Sequence, residues 1–167
     1  MTRMQRLLAN AFGGWFQLRR RFPPDLLDAL ARAVSDGEKH HLGEVRFAVE
    51  SRLPVAAVWS GMTPRQRAEQ VFAQLGVWDT EHNSGVLIYL LLAERRIEIV
   101  ADRGVSARTS RSAWDAVCRA MHECYQRGEW RQGSVNGIQA VHAVLLASFP
   151  SEGRENPGEL SDRPVVL

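Results

Sequence analysis

Apolar residues recur along this chain with two different periods. In VWDTEHNSGVLIYLLLAERRIEIVADRG, from Val77 to Gly104, two apolar runs are joined by the four residues AERR. A connection that short permits only an antiparallel hairpin. The first run, Val86 to Leu92, is apolar at every position and suits a central strand covered on both faces. GEVRFAVE alternates instead, with Val45, Phe47 and Val49 on one face and Glu44, Arg46, Ala48 and Glu50 on the other, which predicts a further strand. Helical spacing governs the rest. Leu26, Leu27, Leu30, Ala31 and Val34 follow Pro23-Pro24, and Ala68, Val71, Phe72 and Leu75 follow a Thr63-Pro64 start with Gln66 three residues after the cap. Ser110 precedes a stripe of Trp114, Val117, Cys118, Met121 and Tyr125. GEWRQGSV reads as a turn, and Ile138, Val141, Leu145, Leu146 and Phe149 form the last helix. Pro54 argues against a central strand in RLPVAAVWSGM, whose state stays open.

The order helix, strand, helix, strand, strand, helix, helix predicts an α/β fold: a three-layer α/β/α sandwich around a small mixed β-sheet. The expected organisation is a basic aromatic segment over 1–24, an α/β domain over 25–150 and a disordered tail over 151–167, where no periodicity is visible. No apolar run is long enough to cross a bilayer, and the early arginines are not followed by a signal-like apolar core, so the expected location is cytoplasmic. Cys118 and Cys124 do not match zinc spacing.

Charge is unevenly spread. Residues 1–24 hold Arg3, Arg6, Arg19, Arg20 and Arg21 and no acid, leaving 16 basic against 19 acidic residues beyond them. With Leu7, Leu8, Phe12, Trp15, Phe16 and Leu18 interleaved, residues 3–21 could lie on an anionic membrane surface, or dock their apolar side chains on the domain. Gly13-Gly14 interrupts any long amphipathic helix. No nucleic-acid-binding signature is present.

The hairpin also gathers polar residues. Centring its turn between Glu94 and Arg95 puts Gly85 opposite Gly104, so the Asp79 to Asn83 loop meets Asp102-Arg103-Gly104. A right-handed crossover makes the Val45 and Val86 strands parallel and brings Glu44 to the same end. Glu44, Asp79, Glu81, Asn83 and Asp102 thus form a candidate set of oxygen ligands for a hard cation, Ca²⁺ or Mg²⁺. Arg46 and Arg103 offer the competing explanation, ordinary salt bridges. Neither Ser84 nor Ser106 lies in a nucleophile motif; His82, in the loop, is the best placed general acid or base. His142, beside an apolar helical face, reads as packed, and Trp78 and Trp130 as flanking loops.

WDTEHNSGVLIYLLLAERRIEIVADRGV, then a helix with Trp114, then CYQRGEWRQGSVNGIQAV, resembles the TPM-domain family over roughly Leu26 to Phe149. Asn83-Ser84-Gly85 before the central strand and the Arg127 to Gly133 turn carry the likeness; the Gly-Glu that opens GEVRFAVE looks like a bacterial cytoplasmic branch. That family includes thylakoid-lumen proteins linked to photosystem II repair. The resemblance implies an α/β/α sandwich with a shallow acidic site for divalent cations, Ca²⁺ in some members, and weak acid phosphatase activity in plant relatives. His82 stands where many members have an acid before Asn-Gly, and Ala101 to Val105 replaces a glycine-rich Gly-Tyr-Gly-Leu-Glu. The expected metal residues are Asp79 and Asp102, with Glu44 and Asn83 behind them. Two functions follow as expectations. One is an accessory module serving an unknown protein partner or peripheral membrane contact. The other is a weak metal-dependent phosphomonoesterase, with Arg103 facing a phosphate oxygen and His82 handling a proton.

Overall fold

A computed structural model describes residues 1–167 apart from Gly13, Gly14 and the side chain of Trp15. The helix break expected at Gly13-Gly14 therefore lies outside the described residues. Helices α1 (Arg3–Phe12) and α2 (Trp15–Arg21) precede α3 (Pro24–Glu38). Strand β1 (Glu44–Glu50) leads through α4 (Val55–Trp59) and α5 (Pro64–Gln74) to the hairpin β2 (Gly85–Leu91) and β3 (Arg96–Ala101). Then come α6 (Arg103–Ser106), α7 (Arg111–Gln126), α8 (Trp130–Ser148) and β4 (Val165–Val166).

The sheet has the order β3-β2-β1-β4, with β1 parallel to β2 and β2 antiparallel to β3. Alternation sorts its side chains into two cores. Val45, Phe47, Val49, Val86, Ile88, Leu90 and Ile99 meet Leu30, Val34, Trp114, Met121 and Ile138 of α3, α7 and α8. Ala48, Leu87, Tyr89, Leu91 and Val100 meet Val58 of α4 and Ala68 and Val71 of α5. The expected α/β sandwich is what forms, and β2 is buried along its whole length. Thr63 and Gln66 make the reciprocal capping box that the spacing predicted.

Several details differ from the expectation. The hairpin turns one residue earlier than the centred turn implies, which shifts the register by two, pairing Val86 with Ala101 and setting Asp102, not Gly104, beside Gly85. RLPVAAVWSGM folds as the short helix α4 behind Pro54, and most of GEWRQGSV belongs to α8. The largest difference is the tail. Its apolar, β-branched end pairs Val165 and Val166 with Ala48 and Val49, giving the sheet a parallel fourth strand. Asn156 donates to the carbonyls of His41 and Gly43, at 3.0 Å each. Residues 151–167 are thus docked rather than disordered: two residues of strand are too few to register as periodicity, and their partners lie about a hundred residues away.

The N-terminal segment is also held by polar anchors. Asn10, fully buried, accepts from the Leu53 amide at 2.7 Å and donates to Glu94 at 2.9 Å, while Arg6 pairs with Glu94 at 2.7 Å. Leu18 and Phe22 enter the core. Met4, Leu8 and Phe12, four apart on α1, remain exposed.

Candidate functional site

Loop 79–84 and the end of β3 do come together. Gly104 donates to the Asn83 carbonyl at 3.1 Å, and Arg103 Nε donates to Asn83 Oδ1 at 2.8 Å. Glycine is required at position 104, because a Cβ there would stand 2.6 Å from the Asn83 carbonyl oxygen and 2.7 Å from that of His82. Asn83 has φ +50°, a left-handed conformation that asparagine tolerates better than most residues. Asp102 caps α6: its Oδ1 accepts from the Arg103 amide at 2.7 Å. Its other oxygen, Oδ2, is buried without a hydrogen-bond partner. Asp79 and Glu81 are exposed on the loop.

Glu44 lies at this end of the sheet, as expected, but its carboxylate is spent on the tail. Oε1 accepts from the Glu159 amide at 3.2 Å and Oε2 from the Leu160 amide at 3.1 Å. Burial raises its pKa, against those two bonds. The tail also closes over the loop, since the Glu81 amide donates to the Glu159 carboxylate at 3.0 Å. Among the described residues, no group of three or more His, Cys, Asp or Glu side chains is arranged for a metal. Nor do Arg46 and Arg103 pair with these acids: Arg46 donates to the Arg163 carbonyl, and Arg103 to Asn83.

The two serines beside the loop both bond to backbone. The Ser84 hydroxyl donates to the Leu42 carbonyl at 2.9 Å and that of Ser106 to the Ala101 carbonyl at 3.1 Å. Among the described residues His82 bonds to neither.

The strongest titration shifts lie elsewhere. Glu38 is buried, accepts from the Val45 amide at 2.7 Å, and has its pKa pushed up to about 9 by burial and by the Glu44 carboxylate. His41 and His142 form a buried chain: His41 Nε2 lies 2.7 Å from His142 Nδ1, while the Gly43 amide donates to His41 Nδ1 at 3.1 Å. His142 Nε2 donates to the Ala33 carbonyl at 3.1 Å. Each ring has one donor and one acceptor used in the neutral form, and burial holds both pKa values down to about 4. His142 is packed, as its helical position implied. Sequence spacing does not reveal the His41 pairing, because its partner is 101 residues away.

Residues 21–144 match the family model of the TPM domain. The chain belongs to the TPM-domain family. The TPM domain of this chain is similar to the NMR structure of the BA42 protein from the psychrophilic bacterium Bizionia argentinensis, at 26% identity and TM-score 0.75, covering 86% of this chain and 93% of that one. It shares the fold of the N-terminal domain of a P. gingivalis protein, at 18% identity and TM-score 0.59, over 75% and 77% of the two chains. No curated protein sequence matches. Most of α1 and α2 and the docked tail lie outside the TPM match, so the groups that occupy Glu44 and Glu94 come from beyond the family core.

Proposed function

We propose that this TPM domain is an accessory module that takes a divalent cation, Ca²⁺ or Mg²⁺, at the corner between β3 and α6. The observation that carries the reading is the buried, unpartnered Oδ2 of Asp102. A carboxylate oxygen without a donor costs at least about 1–3 kcal/mol, which a cation would offset. Asp102 would hold the ion with Asp79 and carbonyl groups of the Asp79 to Asn83 loop; Asn83 Oδ1 serves Arg103, and Glu44 serves the tail. Few carboxylates at an exposed loop favour the weak end of protein Ca²⁺ sites, with a dissociation constant of about 0.1–1 mM. The bound ion would order the loop rather than drive a reaction, since Ser84 and Ser106 spend their hydroxyls on backbone carbonyls.

In the same reading, α1 meets an anionic membrane surface or a membrane-associated protein through Met4, Leu8 and Phe12, and the exposed Arg19 and Arg20 of α2 supply positive charge. Among the described residues, no helix is long and apolar enough to cross a membrane, so such contact would be peripheral.

Titrating metal-free protein with Ca²⁺ and then Mg²⁺ while following backbone amide shifts tests the cation site. Saturable shifts at residues 79–85 and 102–105, absent in Asp102→Asn, are expected. No shift at millimolar ion would sink the reading.

A further inference from the structure

At the opposite end of the strands from Asp102, beside the hairpin turn, a cavity of about 280 Å³ opens between α2, β2 and the α7–α8 connection. Leu90, Leu92, Tyr125 and Trp130 give it apolar and aromatic walls, Arg21 and Arg95 supply its charge, and His122 also lines it. Among the described residues no acid lines it. The nearby acids are committed elsewhere: Glu94 to Arg6 and Asn10, Glu129 to Arg127 at 2.7 Å, and Asp25 to Arg131.

Two arginines thus share one cavity without a carboxylate. Arg21 sits over Trp130, its guanidinium carbon 4.4 Å from the ring centroid, and Tyr125 stacks against the same ring at 4.6 Å. Stacking uses the guanidinium face and leaves its N–H edge free to donate. Among the described residues neither Arg21 nor Arg95 donates a side-chain hydrogen bond to protein. Burial, then the charges of Arg95 and Arg20, lower the Arg21 pKa, so the guanidinium is held in a field that repels it. Arg95 occupies the turn at φ +51°, a conformation uncommon for a long side chain. Two unspent forks that repel each other are relieved by an anion able to accept from both, and the aromatic wall suits a body attached to it.

We propose that this cavity binds a phosphate monoester carrying a small apolar or aromatic group. A phosphomonoester dianion presents three oxygens to the two guanidinium edges and lays its organic part along Trp130, Tyr125 and Leu92. The same chemistry is offered by a soluble phosphate ester and by the headgroup of phosphatidic acid, and the test separates them.

Full-length protein is titrated with phenyl phosphate, inorganic phosphate and phenol, following amide shifts and the Trp130 indole signal. Phosphatidylcholine vesicles with and without phosphatidic acid form a second arm. Saturable shifts at Leu92 to Arg95, Gln126 to Trp130 and Arg21 are expected, with phenyl phosphate tighter than inorganic phosphate and phenol inert. Arg21→Gln and Arg95→Asn should each weaken binding by about tenfold or more, Asn being chosen for its tolerance of positive φ. Arg154→Gln and Asp102→Asn should bind as wild type, which keeps this site separate from the cation corner. Binding to phosphatidic acid vesicles but not phenyl phosphate, lost in the same two variants, would assign the ligand to lipid. Shifts spread over the arginine-rich surface, or retained in both variants, would overturn the proposal, as would equal affinity for phenyl and inorganic phosphate.

Discussion

Replacing Glu44 by glutamine should release the C-terminal tail without unfolding the domain. The carboxylate accepts one amide on each oxygen, from Glu159 and Leu160, at 3.2 and 3.1 Å. Glutamine keeps the shape but presents an NH₂ where one oxygen stood, so one tail N–H faces a donor whichever way the amide is turned. Losing that acceptor in a buried setting costs about 1–3 kcal/mol, or about 5- to 150-fold in the docking equilibrium. The other hydrogen bonds to the tail include Asn156 to two carbonyls, the Glu81 amide to Glu159, Arg46 to the Arg163 carbonyl, and Leu167 exchanging bonds with Val49 and Ser51 at 2.9 and 3.2 Å. Hydrogen exchange read by NMR should therefore show Leu160 and Leu167 losing protection by that factor, while Ile88 in the buried β2 keeps its own. Unchanged protection at Leu160 and Leu167 would refute the argument. So would an equal loss at Ile88, which would mean that Glu44 supports the sheet rather than the tail. The Ca²⁺ response of residues 79–85 should survive in this variant, because Glu44 is not among the proposed ligands.

Three further outcomes can be checked together. In metal-free protein, Asp102→Asn should leave the urea midpoint unchanged or raised, since it removes an unpartnered buried carboxylate oxygen, yet it should abolish any Ca²⁺-induced rise; a loss above about 2 kcal/mol would contradict this. Gly104→Ala should destabilise by about 1–3 kcal/mol in chemical denaturation, because its methyl would press on the carbonyls of His82 and Asn83; a neutral result would show that the loop yields freely. The pH profile of the urea midpoint should peak near pH 6.5. His41 and His142 titrate near 4 when folded against 6.5 as the ordinary value, so between these pH values the unfolded chain binds more protons and stability falls as pH drops. Glu38 has the opposite sign: raised from 4.5 to about 9, it contributes stability that is lost as pH rises through that range, and Glu38→Gln should flatten the alkaline limb.

The sandwich and its hairpin were readable from local pattern, because VLIYLLL can be satisfied only by cover on both faces and AERR only by a tight reversal. Bringing Asn83 near Asp102 followed from that geometry even though the strand register was displaced by two residues. What pattern could not supply was competition for the acids. Glu44 reads as a ligand until Leu160, 116 residues away, is seen to bond it, and Glu94 reads as a turn residue until Arg6 and Asn10 arrive from α1. The arginine-lined cavity was hidden for the same reason: Arg21, Arg95 and Trp130 come from three separate segments and carry no shared spacing.

Helix α1 therefore works as a clasp whose hold is electrical as much as apolar. Arg6 and Asn10 between them satisfy the buried Glu94 carboxylate, one residue before Arg95. Were a partner or a lipid surface to draw α1 away, Glu94 would be left with an uncompensated charge and Arg95 as its adjacent cation. Those two side chains would then neutralise each other, and the cavity would lose one of its two guanidinium forks. Attachment at the N-terminus and anion uptake at the hairpin turn would oppose each other through a single glutamate.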